Sequence, residues 1–317
     1  MTICGVIHNP LLANHLKTES ANKPSESVLS SDLHITKNTS NTLSVPNKIH
    51  HFWQGDMGKL DRYLPNIQKT AELNPTYEVR LHILPNKKQD AVSFQDKLIG
   101  VKVKDISEEK WFKDFQKSPR HEQFHASRSG ERKHLASGAD IIKSELMKKG
   151  GIWNDVDNKP LKALPESLSV NRGGFLTAGP VTFDRWGGES GVHSSTFATH
   201  KHNETLRDMN DSSYEKFLGE KGTIYEKNTR TDAPDEHFKM ISETAGSLHF
   251  SRELKQRVPG HAEEISELLD KGEKFNNKNT IMDQYFEPVS STGSGDLDDD
   301  QAKRFLESIS PPGHVVI

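Results

Sequence analysis

The spacing of hydrophobic and polar residues divides the chain into a polar leader and a region of alternating strands and helices. Residues 12–45 are rich in Ser, Asn, Thr and Lys and show no sustained apolar periodicity, which is typical of a disordered segment. Beyond them, the pattern predicts a strand at 45–55, a helix at 61–75 and a half-buried strand at 76–84. A strand, a helix and a strand at this spacing predict a parallel βαβ unit.

The same alternation continues through the middle of the chain. Segment 96–120 is charged but contains three aromatic residues, and we expect it to be helical. A helix predicted at 134–149 ends at a Gly-Gly pair. The remaining predictions are strands at 152–161 and 173–183, a strand leading into a helix at 194–209, mostly helical and polar sequence after about residue 210, and a loop at 290–300. Alternating elements of both types predict an α/β fold.

Composition and charge exclude several classes of protein. The chain has 42 basic and 45 acidic residues and a formal net charge of −3, which gives no electrostatic footprint for nucleic acid. No apolar run approaches the roughly 20 residues that a membrane span needs. The first residues lack the basic segment of a Sec signal peptide. The single cysteine, Cys4, excludes an intramolecular disulfide framework and a multi-cysteine metal site.

Asp155 and Asp157 form an acidic pair at the end of a predicted strand. Carboxylates at positions i and i+2 of a strand point the same way, so together they can hold one hard divalent cation and leave room for phosphate oxygens. The D-x-D triplet is weak by itself, because most such triplets are solvated turn residues. An apolar helix, Gly150-Gly151 and an aromatic residue directly before the triplet strengthen the prediction of a metal site.

A second motif, His121-Glu122-Gln123-Phe124-His125, fits the pattern H-E-x-x-H. On a helix this spacing places two imidazoles on one face for zinc, with Glu122 as general base and Glu145 as a third ligand. Pro119 and Arg120 directly before the motif argue against the uninterrupted apolar helix of a metalloprotease. The alternative is a polar helix face that binds no metal.

Trp53 lies at the end of the first predicted strand. An aromatic side chain in such a position can stack on a nucleobase. A place in the core or at the strand edge is the alternative for this residue.

Five blocks resemble, in the same order along the chain, the sugar-nucleotide glycosyltransferases with a D-x-D motif, which include the clostridial large glucosylating toxins and yeast α-1,6-mannosyltransferases. The blocks are NKIHHFWQG, NPTYEVRLHIL, HLASGADIIKSELMKKGGIWNDVD, STFATHKHNETLRDM and TAGSLHFSREL, and they cover about residues 46–254. The resemblance implies a GT-A fold, a Rossmann-like nucleotide-sugar-binding domain with additional helices, over residues 46–290. It leaves 1–45 as a leader that suits a secretion or translocation signal, and 291–317 as a C-terminal loop or lid.

The resemblance also implies roles for individual residues. Trp53, with Phe52 beside it, would stack on the uracil of UDP. Asp140 and Asp155 would contact the donor and take part in catalysis, Lys143 and Trp153 would line the donor site, and Asp157 would bind the metal with Asp155 in its shell. Four residues of the tail are further candidates for metal ligands: Ser294, Asp296, Asp298 and His314.

The chain departs from this family at several positions. Lys143 stands where the family has Arg, so the bidentate contact with the donor is lost although the charge remains. Trp153 replaces the usual Tyr. The central helix is one residue shorter than in the toxins, so an ungapped pairing would place Ala139 and Ile142 at the Asp and Arg positions instead. No Trp follows Trp186, so the closing-loop Trp of the toxins has no counterpart.

The function implied by the resemblance is transfer of glucose or N-acetylglucosamine from a UDP-sugar to a protein side chain, with retention of configuration and with Mn²⁺ or Mg²⁺ as cofactor. The leader and the toxin-like core suggest a monomeric bacterial effector that reaches a host cell by a non-Sec route and modifies a host protein. A bacterial cytoplasmic enzyme that builds surface sugars is the alternative setting. A zinc metalloprotease and a non-catalytic binding protein of the same fold are the competing functions.

Overall fold

The computed structural model describes residues 41–85, 89–129, 134–183, 188–224, 234–258, 260 and 282–287. The strands in this part of the chain are β1 Thr42–Val45, β2 Lys48–Gln54, β3 Glu78–Leu84, β4 Val101–Asp105, β5 Gly151–Asn154, β6 Lys159–Pro160, β7 Leu168–Asn171, β8 Phe175–Phe183, β9 Glu189–Thr199 and β10 Phe286–Glu287. The α-helices are α1 Leu64–Leu73, α2 Gln89–Lys97, α3 Lys110–Phe115, α4 Arg120–Arg128, α5 Leu135–Met147, α6 Glu204–Ile224, α7 Pro234–Thr244 and α8 Ser247–Arg257, and short 3₁₀ helices span Met57–Tyr63, Ile106–Glu108 and Met282–Gln284. Among the described helices, none has the length and apolar character needed to cross a membrane.

Six strands form the central sheet in the order β4-β3-β2-β5-β9-β8. The first four run parallel, with Ile49 of β2 opposite both Val79 of β3 and Ile152 of β5. Strand β9 runs antiparallel to β5, and β8 runs antiparallel to β9. Helices α1 and α2 connect the parallel strands β2, β3 and β4. This mixed sheet with helical connections confirms the predicted α/β fold.

Successive residues of the central strands are buried on opposite faces of the sheet. Ile152 and Ala198 belong to one apolar cluster, to which α1 and α2 also contribute. Their chain neighbours Trp153 and Phe197 belong to a second cluster with residues of α3, α4, α5, α6 and α8. Because side chains alternate along a strand, the sheet is covered by helices on both faces.

Two small antiparallel pairs flank the central sheet, β1 with β7 and β6 with β10. Residues 42–45, predicted as part of the leader, form strand β1: Val45 is 1% exposed and packs in the first cluster, and Leu43 pairs with Val170. Residues 1–40, including Cys4, and residues 288–317 lie outside the described part of the chain. The domain limits at 46 and 290 stay predictions.

The expectation that 96–120 is helical is wrong in part. Val101–Asp105 form β4, which pairs with β3 at the edge of the sheet. Val101 is buried and lies opposite Val79, whereas Lys102 is exposed. The alternation of Val and Lys does have the period of a strand, but five residues in a charged segment gave too weak a signal.

Candidate active site

The acidic pair lies where β5 ends, at the carboxyl edge of the parallel strands. The backbone N–H of Asp155 donates to the carbonyl of Ser195 at 2.8 Å, which extends the pairing of β5 with β9 by one residue. The side chain of Asn158 donates to Asn154 Oδ1 and to the Ser195 carbonyl, both at 3.0 Å, and so closes the following turn. Open α/β sheets bind their ligands at this edge.

Lys143 of α5 links the residues predicted to bind the donor. Its Nζ lies 2.7 Å from Asp140 Oδ1 and 3.7 Å from Asp155 Oδ1, and it donates to the Ser194 carbonyl at 3.0 Å. The same nitrogen lies 5.3 Å from the centroid of the Trp153 ring, whose Nε1 donates to Asp155 Oδ1 at 2.6 Å. The structure thus brings Asp140, Lys143, Trp153 and Asp155 into one cluster, which we call the Lys143 cluster.

The orientation of α5 distinguishes the two possible alignments of this helix with the toxin family. One places Asp140 and Lys143 at the family's Asp and Arg positions, and the other places Ala139 and Ile142 there. Ile142 is fully buried among apolar side chains, and Ala139 packs against the same apolar cluster. Asp140 and Lys143 lie three residues apart on one helix face and pair with each other beside β5. The residues that reach the acidic pair are therefore Asp140 and Lys143.

Negative charge exceeds positive charge in the Lys143 cluster. Burial raises the pKa of Asp155 to about 7, Lys143 opposes this rise, and Asp157 and Asp140 add to it. Burial also raises the pKa of Asp157 and of Asp140. Burial by itself would lower the pKa of Lys143, but Asp140 and Asp155 outweigh it and the net shift is upward. A divalent cation would compensate the excess of carboxylates over this single ammonium.

The acidic pair fits a hard divalent cation such as Mn²⁺ or Mg²⁺, because carboxylate oxygens are the ligands such ions prefer. Within the described residues, no group of three or more His, Cys, Asp or Glu side chains is arranged to hold a metal ion. Phosphate oxygens, water or the tail would have to complete the coordination shell. The tail candidates Ser294, Asp296, Asp298 and His314 lie outside the described residues.

Trp53 and Phe52 differ in their surroundings. Phe52 is 5% exposed and packs in the core, so its side chain offers little surface to a ligand. Trp53 is half-buried, and its ring lies 5.6 Å from the ring of Tyr63, centroid to centroid. Its Nε1 donates to the Asp56 carbonyl at 3.0 Å, which fixes the orientation of the indole.

Two further groups contribute to the site without having been predicted. Asn66 of α1 donates from Nδ2 to the carbonyl oxygen of Asp157 at 3.1 Å, and so holds the loop that carries the acidic pair. The carbonyl oxygen of Ser195 accepts from the backbone N–H of Asp155 at 2.8 Å and from Asn158 Nδ2 at 3.0 Å. These contacts join positions far apart in sequence, so no local spacing signals them.

Comparisons with solved structures identify the fold. The structure of the PaToxG glycosyltransferase is similar over 83% of this chain and 84% of its own, with a TM-score of 0.55 and 16% identity. The chain has a glycosyltransferase fold. The UDP-bound glycosyltransferase domain of the YGT toxin matches at a TM-score of 0.45 and 9% identity over 84% of this chain and 89% of its own. The alpha-toxin catalytic domain of Clostridium novyi matches at 0.41 and 11% over 63% of each chain.

Comparisons at the level of sequence give no match, either to a protein-family model or to a curated protein. The similarity to PaToxG therefore establishes the fold alone. The predicted GT-A fold is confirmed, while the roles of individual residues stay predictions.

In this glycosyltransferase fold the H-E-x-x-H motif does lie on a helix, α4, but its acidic groups are engaged elsewhere. Glu122 is exposed and pairs with Lys221. Glu145, the predicted third zinc ligand, forms a buried ion pair with Arg120 and a second pair with Lys148. The third zinc ligand is therefore committed to a structural ion pair, and the zinc interpretation loses its support.

A small cavity lies behind the Lys143 cluster. It is lined by Asp140, Lys143, Arg120, Ser194 and His249 among others, and its volume is about 30 Å³. A cavity of that size has room for a few water molecules.

Proposed function

We propose that the chain is a metal-dependent glycosyltransferase that moves glucose or N-acetylglucosamine from a UDP-sugar to a side chain of a host protein, with retention of configuration. The observation that carries this proposal is the Lys143 cluster, set beside Asp157 at the end of β5. Open α/β sheets bind their ligands at this edge, which supports a nucleotide sugar beside these carboxylates. The active species is proposed to be a monomer.

Each residue of the site has a task in this proposal. Trp53 offers the face of its ring to the uracil, since an aromatic face stacks on any base. Asp140 and Asp155 accept hydrogen bonds from the donor, and Lys143 holds both carboxylates in position. A divalent cation held by Asp157 and Asp155 would supply Lewis-acid neutralisation of the leaving diphosphate.

The carboxylates also act on the reacting carbon. As the glycosidic bond breaks, the anomeric carbon gains positive charge, which fixed negative groups stabilise without reorganising. The leaving phosphate oxygen can itself accept the proton of the attacking hydroxyl or amine. The mechanism therefore needs no protein base and no protein nucleophile.

The biological setting follows from the leader and the toxin-like core, and we propose delivery from a bacterium into a host cell by a non-Sec route. The acceptor would then be a host protein. A bacterial cytoplasmic enzyme that builds surface sugars would instead use a saccharide acceptor, and the two settings differ in which acceptor stimulates the reaction.

The test is nucleotide release by the purified full-length protein with Mn²⁺ and a panel of UDP- and GDP-sugars, with and without host-cell lysate. We expect release from one UDP-sugar that depends on Mn²⁺ and increases with lysate. Release without stimulation by lysate, but with stimulation by bacterial saccharides, would support the cytoplasmic setting. A folded protein that releases nucleotide from no donor would overturn the enzyme proposal and favour a non-catalytic binding protein.

A further inference from the structure

The segment between β2 and α1 lies beside the loop of the acidic pair. Asn66, in the first turn of α1, donates from Nδ2 to the carbonyl oxygens of Asp157 at 3.1 Å and of Val156 at 3.4 Å. Tyr63, at the N-cap of the same helix, packs against Trp53 with 5.6 Å between ring centroids. The residue proposed to stack on uracil and the residue proposed to bind metal are thus joined through the start of α1.

Tyr63 is also close enough to Asp157 for the two groups to interact electrostatically. Burial raises the pKa of Tyr63, and the negative charge of Asp157 raises it further. Trp53 and Tyr63 are thus in direct contact, and Asn66, three residues after Tyr63, holds the carbonyl oxygen of Asp157.

Arg62 adds a positive charge beside Tyr63. Its guanidinium carbon lies 4.6 Å from the centroid of the Tyr63 ring, a cation–π contact that limits where the side chain can point. Arg62 also lies four residues before Asn66, whose side chain holds the loop of Asp157. Lys143 and Arg62 are therefore the two cations to compare.

Lys143 and Arg62 differ in their exposure and in the partners that already hold them. Lys143 is 5% exposed, and its ammonium is held by Asp140, by the Ser194 carbonyl and by the nearby Asp155. Arg62 is exposed, and in the described part of the chain it forms no ion pair with a carboxylate. The adjacent Asp61 pairs with Lys97 at 2.7 Å instead. Arg62 is therefore the cation of the two that a ligand from solvent can reach.

We propose that Arg62, held over Tyr63, binds the diphosphate of the nucleotide donor and supplies the bidentate contact that Lys143 cannot make. This inference rests on the proposed function, since it assumes a nucleoside diphosphate donor. A guanidinium presents two parallel N–H groups that match two phosphate oxygens, whereas an ammonium acts as a point charge. Trp53, Tyr63 and Arg62 lie side by side, and Asn66 of the same helix start holds the carbonyl oxygen of Asp157.

The test compares two ligands that differ in the diphosphate alone. Full-length wild-type protein with Mn²⁺ is titrated with UDP and with uridine by calorimetry, and the same titrations are made with Arg62→Gln and Arg62→Lys. We expect Arg62→Gln to weaken UDP binding by about tenfold or more, as loss of a hydrogen bond to a charged group does. Uridine binding should be unchanged. The UDP affinity of Arg62→Lys should lie between those of wild type and Arg62→Gln, because lysine keeps the positive charge but lacks the two parallel N–H groups of the guanidinium.

Matched variants separate this role from others. Trp53→Ala should weaken UDP and uridine binding alike, since stacking involves the base alone. Arg207→Gln, at an exposed arginine of α6 that pairs with Asp208, should bind both ligands as wild type does. All variants are first compared with wild type by circular dichroism.

The outcomes distinguish failure of this inference from failure of the proposed function. Wild-type protein that binds neither UDP nor uridine would overturn both. Tight UDP binding that Arg62→Gln leaves unchanged would overturn the role of Arg62 and leave the donor proposal intact. Equal weakening of UDP and uridine by Arg62→Gln would also overturn a diphosphate contact, because the effect would then act through Tyr63 and Trp53.

Discussion

Lys143 shows how one buried cation organises the residues at the end of β5. Its side chain is 7% exposed and meets Asp140, Asp155 and the carbonyl of Ser194. The pairing with Asp140, three residues earlier on α5, is visible in the sequence. The contact with Ser194 joins positions 51 residues apart, so only the folded chain reveals it. Sequence reasoning therefore found the charged members of the cluster and missed the group that fixes their position.

We expect Lys143→Met to lower the free energy of unfolding by about 2–3 kcal/mol at pH 8, because it leaves two partly buried carboxylates without their cation. Urea denaturation measures the change. Lys143→Arg keeps the charge and should lose less. Adding Asp140→Asn to Lys143→Met should restore part of the loss, since it removes one uncompensated carboxylate. Wild-type stability in Lys143→Met would contradict this account of the cluster.

Sequence reasoning also missed Arg62 and Tyr63, because tertiary packing brings them to the site. Trp53 was marked by its place at a strand end, and the acidic pair by the Gly-Gly break before it. Arg62 and Tyr63 lie in a 3₁₀ helix, at the start of the segment predicted as the helix 61–75, where no periodicity singles them out. Their approach to Asp157 depends on how α1 packs, which is a tertiary property.

At the scale of elements, the Gly-Gly pair before β5 allows the start of this strand to lie close to β2. Gly151 has φ of +124°, a backbone conformation that glycine alone adopts readily. A Cβ at this position would lie 2.9 Å from the carbonyl oxygen of Lys48 on β2. Because β2 and β5 pair directly beyond this point, at Ile49 and Ile152, a side chain here would push the two strands apart. The acidic pair four to six residues later depends on this register.

We therefore expect Gly151→Ala to lower the free energy of unfolding by about 2–3 kcal/mol, from backbone strain and the contact with Lys48 together. Gly219→Ala on α6 is the matched control, since its added Cβ meets no other described heavy atom within 4 Å apart from its own helix backbone. That control should be as stable as wild type or up to about 1 kcal/mol more stable, because alanine favours a helix. Urea denaturation of wild type and the two variants measures their free energies of unfolding. Equal stability of the two variants would show that Gly151 does not set the register.

The elements differed in how well the sequence predicted them. Strand β2 and helix α5 were found at their predicted positions, because their apolar residues follow a clear period over many positions. Strand β9 begins five residues before the predicted strand and buries polar residues such as Ser194, Ser195 and Thr196. Thr196 donates to the Trp153 carbonyl, and Ser194 shares a hydrogen bond with Ser247. Polar residues that are buried by such tertiary hydrogen bonds leave no hydrophobic pattern to read.

At the scale of the whole molecule, buried histidines couple stability to pH. Burial lowers the pKa of His51, His193 and His249 to about 4 in each case. An unfolded histidine titrates near 6.5. Between pH 6.5 and 4 the unfolded chain therefore binds more protons than the folded one, so the free energy of unfolding falls as the solution is acidified. This contribution to stability is complete above pH 6.5 and is lost toward pH 4.

His51 allows a direct test of this coupling. Its Nδ1 donates to the Asn154 carbonyl at 2.7 Å, and the amide of an asparagine can make a similar contact without titrating. Wild-type protein should lose about 1 kcal/mol between pH 7.5 and 5.5 from this histidine alone. His51→Asn should show a correspondingly shallower dependence of unfolding free energy on pH. The exposed His202→Asn is the matched control, and equal slopes in the two variants would contradict the assignment.

The central claim is that the carboxylates at the end of β5 make this glycosyltransferase fold an enzyme. The most direct measurement is the rate of Mn²⁺-dependent nucleotide release from the preferred UDP-sugar by wild type, Asp157→Asn and Asp114→Asn. Asp114 is exposed on α3, so its variant controls for the loss of a carboxylate. We predict at least about a 100-fold lower rate for Asp157→Asn, equivalent to about 2.7 kcal/mol of transition-state stabilisation, and an unchanged rate for Asp114→Asn. Nucleotide release by a folded Asp157→Asn variant at the wild-type rate would contradict the account.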